Sequence, residues 1–309
     1  MKIVVIGPGA LGCLLAASIA IRTDHEIWLQ DHDPDRATQL SKRGLLLEEN
    51  GHRLNCPIKA TADPAEIGAA DIIFLSVKSH AVAEVLSKVS FLLSEKCLLL
   101  ALQNGIGHLD ILQERMHSNC WAIGVTAQGA TLTGTGSIHH AGRGISRIGF
   151  LHAADDHASV LLKKTAALLN MAGIETETVP NILDHVWDKL LVNVGINALT
   201  AVSGCQNGEL PESPSLRKRL TDAVNEAASV ARAKGVRIEA DPVAATIEVC
   251  RATAKNISSM LQDIRRQRFT EIDAINGAVV HEARLLGIPV PENERLVREV
   301  KNLEAHFIP

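Results

Sequence analysis

Lys189, Asn193 and Asn197 are the residues whose types and spacing best suit catalysis. They stand four positions apart, so on a helix they share one face. The surrounding residues are mostly apolar, which predicts a buried helix. Burial lowers the pKa of a lysine toward neutrality, where it can donate a proton, and two amides can hold a polar substrate beside it. The alternative is a solvated helix edge with one salt-bridged lysine, but two aligned amides favour a site.

A glycine-rich turn near the first residue predicts a dinucleotide site. Residues 2–6 form a short apolar run typical of a buried parallel strand, and residues 7–12 follow as G-x-G-x-x-G before a helix-like segment. The glycines permit a tight turn, close approach of a pyrophosphate and packing of the helix on the strand. A plain glycine turn is the alternative, which this strand–helix context disfavours. The predicted cofactor-binding residues here are Gly7, Gly9, Ala10, Leu11 and Gly12.

The residue that ends the second predicted strand bears on the choice of cofactor. Asp31 follows the strand-like residues 26–30 and stands 19 positions after Gly12. An acidic side chain there can accept hydrogen bonds from the ribose hydroxyls and repel a 2′-phosphate, so it favours NADH over NADPH. The alternative is that Asp31 only begins a loop, in which Arg36 folds back to a phosphate.

Two further polar residues follow predicted strands. Lys78 comes after the strand-like residues 72–77, and Asn104 follows the strand-like residues 97–102. Strand ends of an open α/β sheet face the ligand. Lys78 can therefore meet a cofactor phosphate or ribose, and Asn104 can meet nicotinamide, ribose or substrate. A surface lysine and a turn asparagine are equally good interpretations of each residue taken alone.

The alternation of strand and helix patterns predicts the fold class. We expect an α/β protein with an N-terminal Rossmann-type parallel sheet in residues 1–175 and a C-terminal all-helical domain in residues 176–309. In the second half, strand patterns are absent, and one of the helix-like segments covers residues 270–286. The glycine-broken stretch 134–150 is predicted to form hairpin-like strands. His139 and His140 within it are predicted to lie in a solvated loop, with proton transfer as the alternative.

Composition limits the classes of partner. The net charge of −4 gives no electrostatic footprint for nucleic acid, and polar residues interrupt the uncharged stretch 190–208, which argues against a membrane span. The six cysteines are scattered without metal-ligand spacing, so we predict no metal site, reduced thiols and a cytoplasmic protein.

Several separated motifs, in order, resemble the ketopantoate reductase family along essentially the whole chain. They are GPGALG (7–12), VK (77–78), LQNG (102–105), GRGISRIG (142–149), WDKLLVNVGINALTA (187–201), NGEL (207–210), SSMLQD (258–263), TEIDAINGAVV (270–280) and GIPVPEN (287–293). This resemblance implies an NAD(P)H-dependent oxidoreductase that reduces 2-dehydropantoate to pantoate in pantothenate biosynthesis. It also implies that Lys189 is the general acid and Glu271 a substrate-site carboxylate, although composition alone favours a helix-start charge for Glu271. The implied substrate contacts are Asn104, Asn193, Asn197, Asn207 and Ser259.

One departure from the family pattern leaves alternatives open. The family usually uses NADPH and has a basic residue near the end of the second strand, where this chain has Gln30 and Asp31. An NADH-dependent 2-hydroxy-acid dehydrogenase acting on another 2-oxo acid is therefore the alternative within the family. A nucleotide-sensing Rossmann protein without chemistry is the alternative of another class, although a sensor has no need of a buried acid. The expected partner is a small 2-oxo acid, and a homodimer is compatible with the resemblance.

Overall fold

The computed structural model describes residues 1–116, 120–238 and 240–307. Contacts divide the chain into two compact units. Unit 1 comprises residues 1–103 and 111–182, and unit 2 comprises residues 104–110 and 183–309. The structure is α/β, as predicted, and the sequence-based boundary between residues 175 and 176 stays a prediction. The assignment of the short segment 104–110 to the second unit has no counterpart in the sequence patterns.

Unit 1 is built on an eight-stranded, mostly parallel sheet of order β12-β11-β8-β7-β6-β1-β2-β5, in which β8 and β11 form the antiparallel pair. Its central strands are short runs of apolar residues, which suits strands covered on both faces. The order β5-β2-β1-β6-β7-β8 is the three-two-one-four-five-six order of a Rossmann sheet. The strands are β1 (Lys2–Ile6), β2 (Glu26–Gln30), β5 (Lys59–Thr61), β6 (Ile72–Leu75), β7 (Leu98–Ala101), β8 (Trp121–Val125), β11 (Ser146–Gly149) and β12 (Thr176–Thr178).

A second, four-stranded sheet completes unit 1. It consists of β3 (Leu45–Glu49), β4 (His52–Cys56), β9 (Gly129–Gly134) and β10 (Ser137–Gly142) in the order β4-β3-β10-β9. The prediction of a solvated loop at His139 and His140 is wrong, because both lie in β10 and the latter is buried. His140 Nε2 lies 2.8 Å from Gln128 Oε1, a long-range contact that the local glycine pattern could not indicate.

The helices of unit 1 follow ordinary capping rules. Helix α1 is apolar nearly all round and buries eight of its residues in the core. Asp33 and Asp155 cap α2 and α5 by accepting hydrogen bonds from backbone amides of the first turn. The helices are α1 (Ala10–Arg22), α2 (Pro34–Arg43), α3 (Val82–Val89), α4 (Leu109–Arg115, which begins in unit 2) and α5 (Asp156–Met171).

The regular secondary structure in the described residues of unit 2 is helical. The long helix α6 packs closely at Gly195, where an added Cβ would come within 2.7 Å of Val224 and 2.9 Å of Thr246. The helices are α6 (Ile182–Ser203), α7 (Glu209–Glu212), α8 (Pro214–Ala233), α9 (Pro242–Ala252), α10 (Ser259–Arg265), α11 (Asn276–Leu286) and α12 (Pro291–Glu304). None of the helices in the described part of the chain is long and apolar enough to cross a membrane.

The helix predicted over residues 270–286 begins later than expected. Residues 270–275 lie outside the helix and include a turn at 272–275, and α11 starts at Asn276. The apolar residues Ile272, Ala274 and Ile275 continue the helical spacing but are buried in this turn instead. Glu271 therefore does not occupy the first turn of a helix, contrary to the interpretation from composition.

Candidate active site

Helix α6 carries the three residues singled out by their spacing. Lys189, Asn193 and Asn197 all lie within it and, four residues apart, share one face. Lys189 and Asn193 are half-buried, and Asn197 is buried. The helix therefore presents a lysine and two amides along a single line.

The environment of Lys189 favours proton transfer near neutral pH. Burial lowers the pKa of its ammonium to about 8, and the negative charge of Glu271 opposes this shift. A lysine with such a pKa holds its proton at neutral pH and can release it to a developing alkoxide. The negative charge that acts on Lys189 comes from the turn at 270–275, which lies 82 residues further along the chain.

Asn104 and Glu271 are brought together within unit 2. The Asn104 side-chain amide donates a hydrogen bond of 3.1 Å to Glu271 Oε2. The backbone amides of Ile106 and Gly107 both donate to the Ala274 carbonyl, at 3.0 and 3.4 Å. The short segment 104–110 is thereby tied to the turn that carries Glu271. The structure thus joins two residues that the sequence proposed separately.

The other two substrate-contact candidates differ in exposure. Asn207 is buried; its Nδ2 donates to Thr253 Oγ1 at 2.9 Å, and its Oδ1 has no hydrogen-bond partner among the described residues. Ser259 is exposed at the first position of α10. The neighbouring Ser258 caps that helix by accepting from Leu261 N and also accepts from Thr200 Oγ1 at 2.7 Å. Sequence reasoning included Ser258 in a family motif but assigned it no role of its own.

The glycine-rich turn of unit 1 has the shape that a dinucleotide pyrophosphate requires. A Cβ on Gly12 would lie 2.1 Å from the Gly7 carbonyl oxygen, whereas one on Gly9 would meet nothing within 4 Å. Gly12 therefore permits the close packing, and the backbone at Gly9 is open to a ligand. No side chain caps the N-terminus of α1, so its first amides at Ala10 and Leu11 are available to phosphate oxygens. These residues fit a dinucleotide.

Two polar residues to which sequence reasoning assigned no role bind backbone carbonyls where strands β1 and β6 end. The Ser76 hydroxyl donates to the carbonyl oxygens of Ile6 and Gly7, both at 2.9 Å. Gln103 Nε2 donates to the carbonyls of Leu75 and Val77, at 2.8 and 3.0 Å. Ser76 directly follows β6 and Gln103 stands two positions after β7, and a polar residue just past a strand of the parallel sheet was the signal that could have found them. Lys78 lies nearby in the chain, half-buried after β6.

Asp31 is buried and bound by Arg36. The Arg36 Nε and Nη2 atoms donate to the two carboxylate oxygens of Asp31, both at 2.5 Å, and Asp33 N donates to Asp31 Oδ1 at 3.1 Å. The Asp31 side chain is 0% exposed, while that of Arg36 is 35% exposed. The interpretation of Asp31 as a ribose ligand stays a prediction, and so does the alternative, a loop residue with Arg36 folded back to a phosphate.

The sheet order and the glycine-rich turn define a Rossmann-type dinucleotide-binding protein. Two family descriptions match the chain, "Ketopantoate reductase PanE/ApbA" over residues 3–153 and "Ketopantoate reductase PanE/ApbA C terminal" over residues 181–304. The chain belongs to the ketopantoate reductase family, as its motifs indicated.

Individual relatives and solved structures agree with this assignment. The chain is 36% identical to a 2-dehydropantoate 2-reductase of Halobacterium salinarum, with 94% of this chain and 95% of the relative covered. It is 34% identical to that of Shigella flexneri, over 99% and 96%. A crystal structure of a PanE/ApbA family ketopantoate reductase from Ralstonia eutropha has a TM-score of 0.90 at 30% identity, covering 99% of each chain. The structure of D-mandelate dehydrogenase with NADH and anilino(oxo)acetate has a TM-score of 0.91 at 27% identity, again over 99% of each chain.

Proposed function

We propose that this protein is an NAD(P)H-dependent reductase that converts the 2-oxo acid 2-dehydropantoate into the 2-hydroxy acid pantoate, a step of pantothenate biosynthesis. The observation that carries this proposal is Lys189, whose pKa of about 8 makes it a proton donor at neutral pH on the helix face shared with two amides. The relatives named 2-dehydropantoate 2-reductase support the choice of substrate.

When bound, the reduced nicotinamide supplies a hydride to the C2 carbonyl carbon. Lys189 then transfers the proton from its Nζ to the carbonyl oxygen, so that a hydroxyl group forms and the ammonium becomes a neutral amine. The positive charge of Lys189 stabilises the negative charge that develops on this oxygen before the proton moves. Lys189 is therefore assigned as general acid.

The remaining polar residues are assigned to binding and orientation. Asn193 and Asn197 extend the line of Lys189 along α6 and are suited to fix the carbonyl and carboxylate of the substrate. Glu271 raises the pKa of Lys189 through its charge and is a substrate-site carboxylate, held by Asn104. The buried, unpartnered Asn207 Oδ1, as judged among the described residues, is suited to a substrate hydroxyl. Ser259 is assigned to the substrate carboxylate.

The cofactor is assigned to the glycine-rich turn and to polar residues that follow strands β2, β6 and β7. Its pyrophosphate would meet the backbone of the glycine-rich turn, where α1 begins, and Lys78 and Asn104 would contact its phosphates, ribose or nicotinamide. Asp31 is assigned to the adenine ribose. The residues proposed to hold the cofactor are Gly7, Gly9, Ala10, Leu11, Gly12, Asp31, Lys78 and Asn104.

A second candidate within the family is an NADH-dependent dehydrogenase acting on a different 2-oxo acid. Asp31 favours it, because an acid at this position disfavours the 2′-phosphate of NADPH. The likeness to D-mandelate dehydrogenase solved with NADH also favours it. A cytoplasmic location and a homodimer are further proposals from the sequence.

The deciding experiment is a rate assay that follows oxidation of NADH or NADPH with a panel of 2-oxo acids. We expect the highest kcat/KM with 2-dehydropantoate, compared with pyruvate, 2-oxoisovalerate and phenylglyoxylate. A preference for phenylglyoxylate would establish the second candidate instead. Failure to reduce any 2-oxo acid with either cofactor, by a protein that binds the cofactor, would overturn both candidates.

A further inference from the structure

Residues at the two ends of helix α12 form hydrogen bonds with the two ends of the segment that carries Glu271. We call residues 270–276 the Glu271 segment. We propose that Asn293 and Glu304, at opposite ends of α12, are positioning residues that fix Glu271 relative to Lys189. The inference rests on the proposed function for its catalytic consequence, but the contacts that carry it are those of the described residues of unit 2.

Glu304 holds the beginning of the Glu271 segment. Its Oε1 accepts hydrogen bonds from the backbone amide of Thr270 at 2.8 Å and from the Thr270 hydroxyl at 2.6 Å. The same hydroxyl accepts from Ile272 N at 3.1 Å, so the residues on both sides of Glu271 are fixed. Glu304 is only 5% exposed. Burying a carboxylate is costly unless it is well bonded, and Lys301 Nζ at 3.2 Å from Oε2 supplies the opposite charge.

Asn293 holds the other end of the segment. Its Oδ1 accepts from Asn276 Nδ2 at 3.1 Å, and both residues are 0% exposed. Its own Nδ2 donates to the Ala223 carbonyl at 3.0 Å and to Glu226 Oε2 at 2.8 Å. The Asn293 side chain thus uses both amide hydrogens and its oxygen, which leaves it a single orientation.

Glu226 fixes the end of α12 from which Asn293 projects. Its two carboxylate oxygens accept the backbone amides of Glu292 at 2.9 Å and Asn293 at 3.0 Å. Both amides belong to the first turn of α12, where backbone amides have no hydrogen-bond partner within the helix. A carboxylate at this terminus is also favoured by the helix dipole. These hydrogen bonds anchor α12 on α8 and are separate from its contacts with the Glu271 segment.

Asn276 extends this chain of contacts to α6. Its Nδ2 also donates to the Val194 carbonyl at 3.3 Å, in the middle of the helix that carries Lys189. One amide group therefore joins α12, the Glu271 segment and α6. Because these contacts are directional, they restrict rotation and sliding of the segment more than apolar packing would. The charge of Glu271 raises the pKa of Lys189, so their separation affects how the acid titrates.

The kinetic test compares Asn293→Ala and Glu304→Leu with Glu304→Gln, which keeps an acceptor for Thr270. The matched control is Glu299→Gln, because Glu299 also joins α12 to α8, through Arg219 at 2.7 Å, without contacting the Glu271 segment. We expect Asn293→Ala and Glu304→Leu to lower kcat by about 10- to 100-fold. NAD(P)H binding should be unchanged, Glu304→Gln should retain most of the activity, and Glu299→Gln should behave like the wild type.

A double-mutant cycle separates positioning from general loss of structure. In the Glu271→Ala background the kcat loss from Asn293→Ala should nearly vanish, because the residue to be positioned is gone. A loss of equal size in both backgrounds would overturn the proposal.

Hydrogen exchange tests the same contacts without any activity. The amides of Ala274 and Ile275, which donate to the Glu271 carbonyl, should exchange faster in Asn293→Ala and Glu304→Leu than in the Glu299→Gln control. Unchanged exchange would also overturn the proposal. A wild-type protein that reduces no 2-oxo acid would contradict the proposed function alone, and exchange would still decide whether α12 holds the segment.

Discussion

The side-chain amide of Asn104 donates a hydrogen bond to the Glu271 carboxylate across 167 positions of the chain, at 3.1 Å. Asn104 follows the end of β7, whereas Glu271 lies in a turn before α11. The backbones of the two regions are also close to each other, since a Cβ added at Gly105 would lie 2.0 Å from the Ala274 carbonyl oxygen. The bond therefore depends on a glycine as much as on the two polar side chains.

Gly105→Ala should destabilise the protein strongly. Gly105 has a φ of +78° and no room for a methyl group beside the Ala274 carbonyl oxygen. Left-handed backbone costs a non-glycine residue about 1–2 kcal/mol, and overpacking adds about 1–3 kcal/mol. We expect the free energy of unfolding, measured by urea denaturation, to fall by about 3 kcal/mol or more.

Gly51→Ala is the matched control for this variant. Gly51 has nearly the same φ, +77°, but an added Cβ would meet nothing within 4 Å. Only the cost of the left-handed backbone applies, so the free energy of unfolding should fall by about 1–2 kcal/mol. Equal losses in the two variants would show that the contact with the Ala274 carbonyl is unimportant.

The parts of the fold and site that the sequence predicted are those determined locally. Each of three features shows its signal within a short stretch of consecutive residues: the strand Lys2–Ile6, the glycine-rich turn and the helix that carries Lys189. Strands β3, β4 and β5 were not predicted, because their burial depends on partners such as β10 and β2, far away in the chain.

The turn at 270–275 shows why the remainder of the site could not be predicted. Its apolar residues have helical spacing, but Thr270 is held by Glu304, which lies 34 positions away. The Asp31–Arg36 pair is closer in sequence, yet the acidic residue alone gave no indication that Arg36 would bind both of its oxygens. Contacts between elements decide these cases, and periodicity contains no information about them.

Replacing Lys189 tests the general acid directly. Lys189→Ala should lower kcat by about 10²–10⁴-fold, because the alkoxide loses both its proton donor and the nearby positive charge. Binding of NAD(P)H, measured by fluorescence titration, should be nearly unchanged. Lys255→Ala, which removes an exposed lysine of unit 2, is the control and should leave turnover intact. Normal turnover of the Lys189 variant would rule out its role.

The loop after β2 should make the wild-type protein bind NADH more tightly than NADPH. Residues 31–36 contain three aspartates and one arginine, so their net charge disfavours a 2′-phosphate. Asp31→Asn should move the ratio of the two dissociation constants toward NADPH by about tenfold, equivalent to about 1.4 kcal/mol. Arg36→Ala should move the ratio the other way, because it removes the arginine from a loop that also contains three aspartates.

Asp35→Asn is the control for net charge in that loop. It makes the same change in charge as Asp31→Asn, at an exposed residue without the Arg36 contact. Its effect on the ratio should be much smaller, since exposed charges are screened by water and salt. A wild-type protein that prefers NADPH by about tenfold would contradict the role given to Asp31 and would favour Arg36 or Lys78 as the phosphate ligand.

The pH dependence of reduction should follow the ammonium of Lys189. Because the acid must be protonated, kcat/KM for the 2-oxo acid should be constant below the pKa of about 8 and fall tenfold per pH unit above it. Oxidation of the 2-hydroxy acid needs the neutral amine, so its rate should rise through the same pH. Glu271→Gln removes the negative charge that raises this pKa, and the falling limb should therefore move to lower pH. Profiles that coincide for the wild type and Glu271→Gln would show that Glu271 does not act on Lys189 through its charge.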